Sequence, residues 1–361
     1  MQPDRTVRKV LIYRLGSLGD TVVALPCFHL VARAFPQSER LLITNYPVHA
    51  KAPAAAAVLG ESGLVQGYLR YTAATRNPVE LLRLIWQVRR FSPDLLVYLQ
   101  QAREDTLLRR DAAFFRSCGV RRIIGLPFGD LGVNAFDPAA GLYESEASRL
   151  MRCLGQLGEA DLLDRRNWDL RLTEAERRKA GEVLLPCGDC PIIACGPGTK
   201  MQAKDWGTEN WRELFARLGA EFPGRALVLV GAREDAEVSA YAAADWRGVK
   251  VNLCGLLTPR ETAAVLRRAA IFLGPDSGPM HLAACAGVPC VVAFSGRDLP
   301  GRWFPNGNQH RVIYHHTSCQ GCKLETCIAE QRRCLTAISV AEMAEAAAAV
   351  LNSQAYRPAA V

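Results

Sequence analysis

The chain contains no apolar run that approaches the ~18 to 20 residues needed to cross a bilayer as a helix. Its most apolar window, MHLAACAGVPCVVAF, is short and interrupted by Gly287 and Pro289, so no spanning helix is expected. The first residues, MQPDRTVRKV, lack the apolar centre of a signal peptide and run straight into a strand-like segment. A cytoplasmic chain is the expectation. Dense basic clusters are also missing. The net charge of +8 comes mostly from scattered arginines, with only short pairs such as Arg89-Arg90, Arg109-Arg110 and Arg121-Arg122. These read as solvated helix faces, or as a surface suited to anionic ligands or an anionic membrane face. With no zinc-finger spacing, RNA-binding sheet motif or basic helix interleaved with aromatics, no nucleic-acid partner is expected.

What is present is the composition of an ordinary globular protein: 49% apolar and 22% charged residues over 361 positions. That length favours two domains over one. KVLIY, RLLITN, DLLVYL and RRIIGL read as strands, separated by helical patterns such as VVALPCFHLVARAF and LLRLIWQVRRF. From about 128 to 171 this rhythm lapses into a stretch richer in Gly, Asp and Glu, which includes a helix, SEASRLMRCLGQLG, and an inter-domain linker is expected there. It then restarts with PIIACGPG, RALVLVGARED, VNLCG, the IFLGPDSGPMHLAACAG stretch and PCVVAFSG. Strands alternating with helices predict parallel sheets covered on both faces, in two doubly wound α/β halves of roughly six strand-like units each. The predicted division is 1–170, 171–340 and a C-terminal helix and tail over 341–361. Ser339 and Glu342 stand at capping-box spacing for that last helix.

In open α/β sheets ligands bind beyond the carboxyl ends of the strands, and three strand-exit turns carry chemistry. In GPDSGPMH, Ser277 and Gly278 precede a helix whose free N–H groups favour an anion, and His281 adds a donor in its first turn. An ordinary capped helix is the competing reading. In GPGTK, Gly198 is followed by Thr199 and Lys200, with Lys204 just beyond; that set suits a pyrophosphate, or a surface loop with solvated lysines. The third turn is RLGSLGDTVVALP. Its Gly16 and Gly19 do not have the G-x-G-x-x-G spacing of dinucleotide sites. Asp20, at a helix start, reads either as a carboxylate complementing the helix dipole or as a general base.

Taken together, RLGSLGDTVVALP, KDWGTENW, VGAREDAE and GPDSGPMHLAACAGVPCVVAFSGRDLPGRWFP resemble glycosyltransferase family 9, the ADP-heptose:lipopolysaccharide heptosyltransferases, from about Lys9 to Ser339. The resemblance implies a GT-B architecture: two Rossmann-like doubly wound domains facing across a cleft, an N-terminal acceptor-binding domain and a C-terminal donor-binding domain. It places Asp20 as the catalytic base. Thr199, Lys200 and Lys204 fall on the phosphate-contacting loop, and Asp276, Ser277, Gly278, Pro279 and His281 on the second phosphate and sugar contact. Asp235 falls where the nucleotide ribose is bound, with Glu234 a near alternative, and Leu257 near the base. The implied reaction is an inverting transfer that requires no metal cofactor. It moves a sugar, heptose from ADP-heptose, onto a lipid-linked or polysaccharide acceptor of a lipopolysaccharide core or related surface glycan. Peripheral contact with the inner face of the cytoplasmic membrane is implied as well. A GT-B-fold nucleotide-sugar epimerase, or a transferase of the same family using another nucleotide sugar, is the alternative. One departure is plain: the family's Trp-Pro is Trp206-Gly207 here.

Thirteen cysteines remain. Cys195, Cys254, Cys285 and Cys290 sit in apolar surroundings and read as small buried hydrophobes. Cys319, Cys322, Cys327 and Cys334 form a C-x2-C-x4-C-x6-C run, which reads as a metal knuckle, a redox-labile pair or inert packing.

Overall fold

The computed structural model describes residues 6–45, 54–72, 75 and 77–353, and divides into two compact units, 1–171 and 172–361. The expectations that fall on the tail beyond Ser353 lie outside the described residues.

Among the described residues, the first unit is built on five parallel strands: β1 (Lys9–Tyr13), β2 (Glu39–Asn45), β3 (Gly67–Tyr71), β4 (Leu95–Tyr98) and β5 (Ile123–Ile124), in the order β3-β2-β1-β4-β5. The central strands are apolar throughout because helices cover both faces of a parallel sheet. β4, LLVY, is buried at every position. Five helices connect and cover the strands: α1 (Leu18–Val23), α2 (Leu25–Ala34), α3 (Ala55–Leu59), α4 (Pro78–Phe91) and α5 (Asp105–Ser117). The VVALPCFHLVARAF pattern is two helices and not one. Pro26 lacks an N–H and its ring crowds the carbonyl four residues back, so the chain breaks at Ala24 and restarts.

The stretch expected to be a linker is instead folded into this unit. It holds a two-stranded hairpin, β6 (Phe136–Asp137) with β7 (Leu142–Tyr143), and α6 (Glu146–Cys153). Within α6, Arg149 and Glu146 form a wholly buried ion pair at 2.6 Å. Arg149 also donates to the carbonyl oxygens of Gln100 and Leu131. A linker would leave such charges in water; here the hydrogen bonds offset their desolvation. The polar composition of the segment thus misled.

Among the described residues, the second unit carries six parallel strands: β8 (Ile192–Cys195), β9 (Ala226–Leu229), β10 (Lys250–Asn252), β11 (Ala269–Pro275), β12 (Cys290–Ala293) and β13 (Arg311–Ile313). Their order is β10-β9-β8-β11-β12-β13. Seven helices accompany them: α7 (Glu174–Leu184), α8 (Thr208–Glu221), α9 (Ala236–Ala242), α10 (Pro259–Leu266), α11 (Gly278–Cys285), α12 (Arg333–Thr336) and α13 (Val340–Asn352). The expected capping box of α13 is formed: Ser339 Oγ accepts from the Glu342 N–H, and Glu342 Oε2 accepts from the Ser339 N–H. α13 packs on α8 through a core that includes Trp206, Trp211, Phe215 and Met343.

In both sheets the first strand of the unit has the second strand on one side and the fourth on the other. The helices therefore leave in opposite directions at the β1/β4 and β8/β11 boundaries, which opens a crevice at each. Each unit is a Rossmann-like α/β domain with a switch point of this kind.

Candidate functional site

At the first switch point the chain leaves β1 through Arg14-Leu15-Gly16-Ser17 and enters α1. Gly16 has φ +145°, and a Cβ there would lie 2.3 Å from the Cβ of Asp20, so only glycine lets the carboxylate occupy its place. Asp20 reaches back to cap its own helix. Its Oδ2 accepts from the Ser17 N–H at 2.7 Å and the Ser17 hydroxyl at 2.9 Å. From the other side of the switch point, Gln101 Nε2 donates to Asp20 Oδ1 at 2.6 Å.

Arg14 ties the two sides together. Its guanidinium donates to the Asp20 carbonyl at 2.7 Å and to the Leu99 carbonyl at 2.8 Å, while lying 3.8 Å from Asp20 Oδ1. Arg14 is buried, whereas the Asp20 side chain keeps 16% of its surface exposed. The carboxylate is thus held at a fixed orientation by groups behind it and presents one side to solvent. Of the two readings of Asp20, the helix-capping one is seen in these contacts, and the exposed side of the carboxylate leaves room for the other. Gly19 is buried inside α1 and only Gly16 does turn work. Gln101 and Arg14 were not among the predicted site residues. No sequence spacing joins position 101 to position 20; only the β1–β4 pairing does.

At the second switch point two strand exits converge. β8 runs into Gly196-Pro197-Gly198-Thr199-Lys200, and β11 into Asp276-Ser277 at the head of α11. The crossing is tight: a Cβ on Gly196 would lie 3.1 Å from the Val230 carbonyl oxygen and 3.4 Å from Pro279. Lys204 returns from the β8 loop to meet Asp276, Nζ to Oδ2 at 2.5 Å, with both side chains largely buried. Thr199 Oγ1 stays local, accepting from the Met201 N–H at 3.4 Å, and Lys200 is exposed.

Ser277 is the N-cap of α11, yet its Oγ makes no cap bond and has no hydrogen-bond partner among the described residues, although it is buried. Gly278 and Pro279 open the helix. A buried hydroxyl left unpaired beside unpaired helix N–H groups is the arrangement an anion completes. The buried His281 ring stands edge-on to Trp303 at 6.3 Å.

Asp298, after β12, extends this group. Burial alone would raise its carboxyl, but Lys323, Lys204 and Arg297 hold it below the usual carboxylate range. Arg297 donates to it at 2.9 Å and Lys323 is its second ion-pair partner. Three cations and two carboxylates therefore crowd one crevice. The sequence reading quoted Asp298 and Arg297 inside a motif but assigned them no part.

Asp235 turns inward. Its Oδ2 accepts from the Ala232 N–H at 2.8 Å, and the carboxylate occupies the space a Cβ on Gly198 would need. It therefore closes the β9 exit against the β8 loop, while Glu234 is exposed. Leu257 is partly exposed at the β10 exit.

The cysteine-rich segment packs onto this site. The Gln202 side chain accepts from the Cys327 N–H at 2.8 Å, and the Ala203 N–H donates to the Glu325 carbonyl at 3.0 Å. Arg332 donates to the Asp205 carbonyl at 2.7 Å. On its other side, the Gly321 N–H donates to the Gly296 carbonyl and Arg297 to the Leu324 carbonyl. Residues 319–334 are thus a strap that fixes the Lys204 loop against the β12 exit. All thirteen cysteines are free thiols. Burial pushes the Cys334 thiol up, and the neighbouring Cys319, Cys327 and Cys322 thiols add to that. Cys327 Sγ accepts from the Arg332 N–H at 3.4 Å. Among the described residues, no three histidine, cysteine or acidic side chains are arranged to hold a metal ion. No helix among them is long and apolar enough to cross a membrane.

The geometry has counterparts among known proteins. The chain superposes on a glycosyl transferase family 9 structure from Veillonella parvula with a TM-score of 0.71 and 16% identity, covering 95% of this chain and 97% of that one. It matches E. coli ADP-heptose lps heptosyltransferase II with a TM-score of 0.65 and 18% identity, covering 95% and 98%. For E. coli heptosyltransferase WaaC, solved with ADP-2-deoxy-2-fluoro heptose, the values are 0.61 and 18%, covering 93% and 98%. At these identities the likeness is one of fold. No curated protein matches in sequence. The model of glycosyltransferase family 9 (heptosyltransferase) matches residues 153–332, which include the Lys204 loop, the head of α11, Asp298 and most of the strap. By that match the chain belongs to glycosyltransferase family 9 and is a glycosyltransferase.

Proposed function

We propose that the enzyme transfers a sugar from an ADP-linked donor to a hydroxyl group of a lipopolysaccharide-type acceptor, with inversion at the anomeric carbon. The observation that carries this reading is the division of chemistry between the two switch points. One presents an aimed carboxylate, Asp20; the other presents Lys204, an unpaired Ser277 hydroxyl and a helix N-terminus.

In the proposed step the acceptor oxygen attacks the anomeric carbon as the bond from that carbon to the diphosphate oxygen breaks. Asp20 takes the proton from the acceptor hydroxyl. The departing diphosphate keeps the bonding electron pair. Lys204 and the N–H groups at the head of α11, with Ser277 as a further donor, meet its charge, and Lys200 adds a further cation. A single displacement of this kind inverts the configuration. The cation set is what supports a transfer with no required cofactor.

Heptose is the proposed sugar because two of the superposed structures are heptosyltransferases named with ADP-heptose or an analogue of it. The acceptor is proposed to be lipid-linked or polysaccharide, met at the inner face of the cytoplasmic membrane. Asp235 or Glu234 is assigned to the ribose, since Asp235 closes the β9 exit against the phosphate loop, and Leu257, at the β10 exit, to the base. Another nucleotide sugar is favoured only by Gly207, whose φ of +106° gives the lysine loop a backbone no proline can adopt.

Incubating the protein with ADP-heptose and a heptose-deficient core acceptor tests the proposal. Asp20→Asn is expected to abolish transfer while ADP still raises the melting temperature. Ser277→Ala with Lys204→Ala is expected to abolish that rise. Conversion of the donor sugar with no acceptor product would mean an epimerase and overturn the proposal.

A further inference from the structure

Helix α4 carries a face that the fold does not use. Its buried side consists of Leu84, Val88 and Phe91. On the opposite side Val79, Leu82 and Trp86 are 70%, 64% and 57% exposed. At about 100° per residue these three fall within an arc of about 60°. Single exposed apolar residues are common, but a Trp-Leu-Val stripe along one helix is not explained by folding.

The charged residues that flank the stripe are all basic. Arg83 and Arg90 flank it on one side and Arg89 on the other, and all three are exposed. The Arg90 guanidinium lies over the Trp86 ring at 5.2 Å. Arg89 donates to the Ser117 carbonyl at 2.9 Å, which holds the basic edge against the end of α5. Glu80 is the one acid of the helix, and its Oε2 is buried, not displayed. The helix start is fixed by Asn77, whose side chain accepts from the Val79 N–H at 2.9 Å, with Pro78 in the first turn.

We infer that α4 is a membrane-docking helix, which lays Val79, Leu82 and Trp86 into the interfacial region of an anionic bilayer while Arg83, Arg89 and Arg90 pair with lipid phosphates. The chemistry selects this occupant. Tryptophan and arginine together suit the boundary between headgroup and acyl chain, where one end of each side chain is apolar and the other wet. An acid-free rim around an apolar stripe complements a negatively charged surface, and the net charge of +8 has the same sign. The inference does not depend on the identity of the sugar or the acceptor, because it concerns binding of the protein to lipid alone.

The test is co-sedimentation of the full chain with vesicles of phosphatidylcholine, with and without about 30% phosphatidylglycerol. The wild type is expected to sediment with the anionic vesicles, and the emission of Trp86 (wild type minus Trp86→Phe) to shift to the blue. Leu82→Ser with Trp86→Ser should weaken binding at least about tenfold. Arg83→Glu with Arg90→Glu should weaken binding to anionic vesicles by more than about tenfold, at roughly fivefold or more per arginine, with binding to neutral vesicles unchanged. Unchanged thermal unfolding shows that the variants remain folded, as expected for exposed positions. Failure of the wild type to bind anionic vesicles would overturn the inference, as would binding indifferent to both variant pairs. So would a wild-type dimer, seen by light scattering, that Leu82→Ser with Trp86→Ser dissolves, since the face would then be a self-interface.

Discussion

The contact between Gln101 and Asp20 gives the sharpest test of the proposed base. Gln101 Nε2 donates to Asp20 Oδ1 at 2.6 Å, and that oxygen has no other hydrogen bond as short, whereas Oδ2 is held twice by Ser17. A hydrogen bond to a charged group is worth about 1.5–3 kcal/mol. If that energy orients the base in the transition state, its loss costs roughly ten- to hundredfold in kcat. The lower end is expected, because Ser17 still holds the carboxylate. Gln101→Ala should therefore lower kcat about tenfold and leave donor affinity and melting temperature nearly unchanged. Gln101→Asn, one methylene too short to reach, should behave like alanine.

Gln101→Glu separates positioning from structure. It keeps the size of glutamine but replaces the donor with a second acceptor facing Asp20, so it should be worse than alanine. A merely structural role predicts the reverse order, with the isosteric glutamate best. The assay is steady-state transfer with donor and acceptor varied separately, beside ADP binding by calorimetry. Full kcat in Gln101→Glu, or in Asp20→Asn, where a drop of about 10²–10⁴ is expected, would refute the reasoning.

Other perturbations have equally direct outcomes. Lys204→Ala removes the partner of a buried carboxylate as well as a phosphate contact, so kcat should fall about 10²–10³-fold and urea unfolding should show lost stability; Lys204→Ala with Asp276→Asn should recover stability but not activity. Gly207→Pro should destabilise by more than the ~1–3 kcal/mol of an ordinary strained position, because proline cannot adopt φ +106° and has no N–H for Asp205 Oδ1; Gly207→Ala should stay within that range in thermal melts. Burial lowers the pKa of His310 to about 4, and the ring is held neutral, with one nitrogen accepting from the Cys290 N–H and the other donating to the Asn306 carbonyl. Since its folded pKa is below the unfolded one of about 6.5, its stabilisation is fully present above pH 6.5 and is lost as pH falls towards 4. Urea midpoints should drop across that window in the wild type and less in His310→Gln.

The strand rhythm was legible because a parallel sheet demands continuous apolar runs, and KVLIY, DLLVYL and PIIACGPG supply them. What escaped was of two kinds. β3, GYLRY, paired through residues 67–71, lacks such a run because it is an edge strand, and among the described residues the first sheet has five parallel strands where roughly six strand-like units were expected. The buried Glu146–Arg149 pair made a folded segment look like a linker, since two charges in sequence carry no sign that they will cancel in space.

The same limit governs the site. Each predicted phosphate-loop residue stands in a local motif, and local motifs report strand exits. Gln101 and Lys323 enter through pairing between distant segments, which no spacing encodes, while Arg14 and Asp298 stood inside quoted motifs with no part assigned to them. The strap shows what this means for the cysteines. Read as a motif, Cys319 to Cys334 posed a question about metal. Placed in the fold, the segment grips both the Lys204 loop and the β12 exit, with Gln202 on Cys327, Arg332 on Asp205 and Arg297 on Leu324. The cation that faces the proposed diphosphate is therefore held from behind by a segment more than a hundred residues away in the chain. A change in the strap should then reach the reaction through Lys204 even though no strap cysteine is assigned to the donor. Arg332→Ala, which frees Asp205 and loosens that loop, should weaken donor binding while leaving the Asp20 switch point undisturbed.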